Sequence, residues 1–152
     1  MMEALDELRR IAERWVGTPF RMNCAVLGRG VDCKLLVASI LAEHLRTEVA
    51  LQDFMQIDAP FIDDGRGRRS FEMAFGRWYL QIPLPTVLLA QDVVLYRQSR
   101  GTHVGLMISD YEMVHAVYGR QVIIERLDQS WGPEIRAVYR RRDAEQGGGI
   151  CW

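Results

Sequence analysis

Three side chains in this sequence are of the types that together carry out nucleophilic acyl chemistry: Cys33, His103 and His115. A thiolate attacks, an imidazole beside it takes the thiol proton, and a third polar group holds that imidazole in place. The sequence holds three cysteines and three histidines, the remaining histidine being His44, so few such arrangements are open to it. Cys33 follows Asp32, whose carboxylate suits the N-cap of a helix. In the first turn, unpaired amides and the helix dipole favour negative charge and lower a thiol's pKa, and Lys34 adds a neighbouring positive charge. The Cys33 amide is free of helical partners for the same reason and is available to an oxyanion. Two other readings compete. Cysteine is often a small buried apolar residue. One cysteine and two histidines also suit zinc with water as a fourth ligand. No Cys-x-x-Cys pair is present, and the sequence is read as holding neither a metal nor a cofactor.

The two histidines open and close neighbouring strand-like runs, Thr102-His103-Val104-Gly105-Leu106-Met107-Ile108 and Glu112-Met113-Val114-His115-Ala116. They read as a hairpin turning at Ser109-Asp110-Tyr111. With a three-residue loop, Gly105 faces His115, and His103 lies on the same sheet face one diagonal step away, roughly 7–8 Å between backbones. Gly105 then has no side chain to block the approach of the rings. A two-residue loop puts the histidines on opposite faces instead. His44, near a helix C-terminus, fits a surface or dipole-satisfying role. Cys24 and Cys151 have no comparable setting and read as incidental thiols.

The elements that must position these residues follow from periodicity. Leu5, Leu8, Ile11, Ala12 and Trp15 recur at helical spacing over residues 2–15, ending near Gly17 with Pro19 beyond. Residues 18–31 show no period and read as an ordered loop. A second helix runs from Asp32 through Leu36, Val37, Ile40 and Leu41 to about Arg46. A short helix is expected at 49–56, a polar loop from Ile57 to Ser70, and helical spacing from Phe71 to Tyr79. From Asp92 the period is that of strands: Val93–Arg97, His103–Ser109, Glu112–Val117, Val122–Leu127 and Ile135–Arg140, separated by turn residues. Helices first and an antiparallel sheet of about five strands second is an α+β order. Gly147-Gly148-Gly149 reads as a linker to Ile150-Cys151-Trp152, so one domain is expected over residues 1–146 with a Gly-rich tail over 147–152.

Bulk properties narrow the function classes. The 152 residues suit one domain, since single cores are comfortable at roughly 100–200 residues. With 49% apolar and 26% charged residues the chain is globular in composition, and its net charge of −1 argues against a dedicated nucleic-acid binder. No apolar run approaches the roughly 18 residues that span a bilayer. The acidic, amphipathic opening Met1-Met2-Glu3-Ala4-Leu5-Asp6 does not read as a secretory signal. Three cysteines cannot all pair within one chain, so a disulfide framework is not expected.

Several blocks then fall in a familiar order: Trp15-Val16-Gly17-Thr18-Pro19-Phe20, Gly30-Val31-Asp32-Cys33, Gln91-Asp92-Val93-Val94, His103-Val104-Gly105 and His115-Ala116. In order and spacing the chain resembles the NlpC-type cell-wall cysteine peptidases, compact papain-like enzymes, from the first helix to the last strand. The Gly-Thr-Pro-Phe run and the short stretch before Val-Asp-Cys look most like the branch encoded by tailed phages and gene transfer agents. The resemblance implies a papain-like NlpC-type fold and an endopeptidase that hydrolyses stem-peptide amides of peptidoglycan. It implies Cys33 as nucleophile, His103 as base and His115 as the polar residue orienting it. Phe20, Asn23 and Asp32 are the implied oxyanion or substrate-binding positions. It further implies carriage on a virion tail with tail-tip or hub proteins as partners, synthesis in the host cytoplasm and action at the cell wall. Two departures stand out: Lys34-Leu35 where many members have Ser-Gly, and Phe20 where many have Tyr. Two other functions stay open, a structural tail-tip subunit that keeps the fold, and an acyl- or amide-transfer enzyme using the same thiolate.

Overall fold

The computed structural model describes residues 1–46, 79–98 and 101–142. The features expected at 49–56, 57–70 and 71–78, and the tail over 147–152, lie outside the described residues. Helix α1 spans Met2–Trp15 and buries the stripe Leu8, Ile11, Ala12 and Trp15, while Leu5 at its start is exposed. Helix α2 spans Cys33–Leu45. It is apolar almost all round and lies inside the molecule, packed between α1 and the sheet. Ion pairs Arg9–Glu112 and Arg14–Glu43 tie α1 to the sheet and to α2 at the surface.

The stretch 18–31, read from sequence as a loop, contains a small hairpin of β1 (Ala25–Val26) and β2 (Gly30–Val31). The main sheet comprises β3 (Tyr79–Ile82), β4 (Val93–Gln98), β5 (Gly101–Met107), β6 (Glu112–Ala116), β7 (Val122–Arg126) and β8 (Ile135–Arg141). Their order is β3-β8-β4-β5-β6-β7, antiparallel throughout. The sheet therefore has six strands among the described residues, one more than the sequence suggested. The extra one is β3, only four residues long and an edge strand on β8. Such a short run ahead of Pro83 gives little periodic signal, and Tyr79, assigned from its spacing to a helix, opens this strand instead. Gln129–Glu134, between β7 and β8, is a 3-10 helix.

One face of the sheet carries Val93, Leu95, Val104, Leu106, Val114 and Ala116 into the main core with the helices. The other carries Val94, Tyr96, Met107 and Met113 into a smaller cluster, covered by Leu88, Leu127, Trp131 and Ile135. Strand alternation sends His103 and His115 to the same side of the sheet as Tyr96 and Met113. Asp92, buried ahead of β4, receives the Leu89 amide and holds Arg140 of β8 through two contacts of 2.9 and 2.8 Å. The β4–β8 ladder slips between Leu95 and Tyr96, where Arg136 is the extra residue on β8. A bulge of this kind bends the strand that carries the extra residue, here β8.

The β5–β6 hairpin pairs Leu106 with Val114 and Met107 with Met113. That register corresponds to the three-residue turn, and the pairing ends one step short of Gly105 and His115. The space above Gly105 is filled by Met113, however, and not by the two imidazoles. A Cβ at Gly105 would come within 2.4 Å of the Met113 sulfur. Because Met113 is fully buried, it can yield only by disturbing its neighbours. Gly105→Ala is therefore expected to lower stability by about 1–3 kcal/mol in urea unfolding.

Candidate active site

Asp32 builds the nucleophile's platform. As N-cap of α2 its Oδ1 receives the Leu35 amide at 2.9 Å, and its Oδ2 receives the Asn23 amide at 2.7 Å. Asn23 sits in the left-handed region at φ 52, a conformation Asn tolerates better than most residues. Its side-chain oxygen accepts from the Lys34 ammonium at 3.3 Å, and Lys34 is fully buried. In this structure Asn23 and Asp32 thus engage each other, α2 and Lys34. Burial raises the Asp32 carboxyl above its usual range, and the amides it accepts oppose that rise. Asp32→Ala removes a cap worth about 1 kcal/mol and strands the Asn23 amide at a further cost of about 1–3 kcal/mol. A loss of roughly 2–4 kcal/mol is expected in chemical denaturation, with Asp32→Asn milder because it retains a cap oxygen.

Cys33 opens α2 with its side chain in the core, and it and Cys24 are free thiols. Among the described residues its N–H has no backbone acceptor, as expected for a first-turn amide. Beyond Leu106 toward Thr102, β5 is no longer paired with β6, and the Val104 N–H reaches the Cys33 sulfur instead. The thiol therefore stands where two strands part, beside the residue that follows His103. Burial pushes the Cys33 thiol up to about 11, aided by the nearby Asp32 charge and opposed by the Val104 and Lys34 amides and the Lys34 charge. The helix N-terminus and Lys34 do act in the direction expected from sequence, but desolvation is the larger effect.

His103 is 6% exposed, and its Nδ1 is buried with no hydrogen-bond partner. The ring is held by packing. Tyr96, its cross-strand neighbour on β4, lies 6.0 Å away at an interplanar angle of 31°, and Tyr118 lies edge-on at 6.3 Å. Burial and repulsion from His115 both lower its pKa below the ordinary 6.5, so the imidazole is a neutral base. The hydrogen bond from thiol to imidazole is not made in the ligand-free geometry, and such bonds commonly tighten only around substrate.

His115 is almost fully buried, and both of its ring nitrogens are engaged. Nδ1 lies 2.7 Å from the Tyr96 hydroxyl, and Nε2 lies 3.0 Å from Glu125 Oε2. It contacts His103 through Tyr96, with no hydrogen bond between the imidazoles. Trp131, on the 3-10 helix, closes the group edge-on to Tyr96 at 5.3 Å and to His115 at 6.1 Å. Tyr96 and Glu125 were not singled out in the sequence. The available signal was a Tyr and a Glu at inward positions of strands flanking the histidine hairpin, visible only once strand order is known.

Phe20 is held between the hairpin and the β6–β7 turn, its amide bonded to the Arg120 carbonyl at 2.9 Å. Its ring packs 5.0 Å from Tyr118, so the hydroxyl-bearing rings around His103 are Tyr96 and Tyr118. His44, for which a surface or a dipole-satisfying role was expected, lies in the last turn of α2 but is buried, with Nδ1 3.9 Å from Glu7 of α1. Burial lowers its pKa. Among the described residues no group of three or more His, Cys, Asp or Glu side chains is arranged to hold a metal ion. No described helix is long and apolar enough to cross a membrane.

No family model matches the sequence, and neither does any curated protein sequence. Among solved structures the chain is similar to an NlpC/p60 family protein from Bacillus cereus ATCC 10987, with a TM-score of 0.57 and 21% identity. That similarity covers 90% of this chain and 39% of the other. It is also similar to the NlpC/p60 domain of the peptidoglycan hydrolase SagA, with a TM-score of 0.54 and 14% identity over 90% of this chain and 97% of that one. The chain thus spans well under half of the first protein and nearly all of the second domain. The fold is of the NlpC/p60 type, an α+β arrangement of helices on an antiparallel sheet.

Proposed function

We propose that this chain is a cysteine peptidase that hydrolyses amide bonds in the stem peptides of peptidoglycan, with Cys33 as nucleophile and His103 as base. The observation that carries this reading is the junction of α2 and β5. There a first-turn cysteine whose N–H has no backbone acceptor among the described residues meets the strand of a buried neutral histidine whose Nδ1 has no partner. His103 takes the thiol proton as sulfur bonds to the carbonyl carbon, and the Cys33 N–H receives the oxyanion. The C–N bond breaks as His103 returns the proton to the leaving amine. Water, deprotonated by the same imidazole, then splits the thioester and restores the thiol. The substrate class is drawn from the likeness to an NlpC/p60 domain of a peptidoglycan hydrolase.

Delivery on a phage-like tail, with tail-tip or hub proteins as partners, is part of the same proposal and rests on the sequence resemblance alone. A second reading, a tail-tip subunit that keeps the fold without turnover, draws support from the burial of Cys33. Incubating the protein and its Cys33→Ala variant with defined muropeptides, and reading products by mass spectrometry, separates the two. Cleavage by the wild type alone supports the peptidase. No cleavage, either by the free protein or by protein assembled with tail components, leaves the structural reading.

A further inference from the structure

The orientation of His115 follows from its partners. Glu125 contributes a carboxylate oxygen at Nε2, and a carboxylate can only accept, so Nε2 carries the ring proton. A neutral imidazole then offers Nδ1 as its acceptor, and the Tyr96 hydroxyl donates to it at 2.7 Å. Each atom in the chain Glu125–His115–Tyr96 has one role, and no nitrogen of His115 is left for His103. Tyr96, held at its hydroxyl by His115 and at its ring by Trp131, lies 6.0 Å from the His103 imidazole with the two rings tilted by 31°. His103 itself has no hydrogen bond at Nδ1 to define its plane, so packing must do so.

We propose that Glu125, His115 and Tyr96 form one positioning relay that aligns His103 through the Tyr96 ring, with Glu125 setting the tautomer of His115. None of the three touches the reacting atoms; they are positioning residues. The inference rests on the proposed roles of Cys33 and His103, but its first readout is independent of any substrate.

The test uses the full chain with the variants Glu125→Gln, Tyr96→Phe and the pair combined. Ring nitrogen NMR shifts of the wild type are expected to show His115 as the Nε2–H tautomer, and Glu125→Gln to give a mixture, because a carboxamide both donates and accepts. Each single variant is expected to lower kcat on muropeptides by roughly ten- to a hundred-fold with KM within about two-fold, the mark of lost alignment. Because the residues act along one chain, the double variant is expected to lose no more than Tyr96→Phe alone. Melting curves confirm that each variant is folded. Unchanged kcat in both single variants, or losses that multiply in the double variant, would overturn the relay, as would an Nδ1–H tautomer in the wild type. If the wild type cleaves no muropeptide, the proposed function fails separately. The relay is then judged by the NMR ring-proton shifts of His103, which are expected to move in both single variants and to move no further in the double variant than in Tyr96→Phe; unmoved shifts are decisive against it.

Discussion

Cys33→Ala is expected to abolish muropeptide cleavage and, in the same protein, to remove an alkaline weakness of the fold. The first effect follows from chemistry. No other described side chain stands at a helix N-terminus against the strand of a neutral histidine, so the loss should approach the limit of detection, on the order of a thousand-fold or more. The second follows from linkage. The folded thiol holds its proton up to about 11, whereas an ordinary thiol releases it near 9.0. Below pH 9 both states are protonated and this contribution to stability is fully present. Between the two values the unfolded chain loses the proton that the folded chain retains, so stability falls as pH rises, by up to about 2–3 kcal/mol. Wild-type unfolding free energy measured from pH 8 to 11 should decline more steeply than that of Cys33→Ala. Parallel curves would show that the thiol is not buried as described. Iodoacetamide labelling of Cys33 in the ligand-free protein should climb over the same interval.

His103→Ala is expected to reduce cleavage by roughly a hundred- to ten-thousand-fold, the usual contribution of a positioned base. Its pH signature is distinctive. Burial and the neighbouring His115 hold its pKa below 6.5, so the neutral, proton-accepting form persists as the solution is acidified past that value. The acid limb of kcat/KM for the wild type should fall below pH 6.5, since that limb reports the free enzyme's base. A limb above 6.5 would mean that the ring is either more exposed or stabilised as a cation by a carboxylate. In the described geometry the carboxylate of this cluster, Glu125, bonds to Nε2 of His115.

Much of the fold was legible in the amino-acid order because the rules that govern it are local. Asp32 caps α2 whatever surrounds it, and the stripe from Leu8 to Trp15 needs only a helical period. The strands from Val93 onward follow from alternation and turn residues, and with them the hairpin that carries His103 and His115. Cys33, His103 and His115 are candidates by residue type, by position and by the order of the blocks around them. The β3 edge strand escaped because four residues ahead of a proline carry almost no period.

What the chain's order left open were quantities set by neighbours distant along it. Whether the histidines share a face depended on the length of a turn, and the register of Leu106 with Val114 decided it. What fills the space over Gly105 also depended on the fold, and there the Met113 side chain lies. The sign of the Cys33 shift was set by burial, which exceeds the dipole and Lys34 because a thiolate in a closed core loses more hydration than one helix end restores. Tyr96 and Glu125 became partners of His115 only when β4 and β7 were brought to either side of the hairpin. The sequence by itself thus determined which residues have the chemistry and which elements carry them. The tertiary structure decided how the residues share protons, because hydrogen-bond partners and desolvation are properties of the assembled sheet.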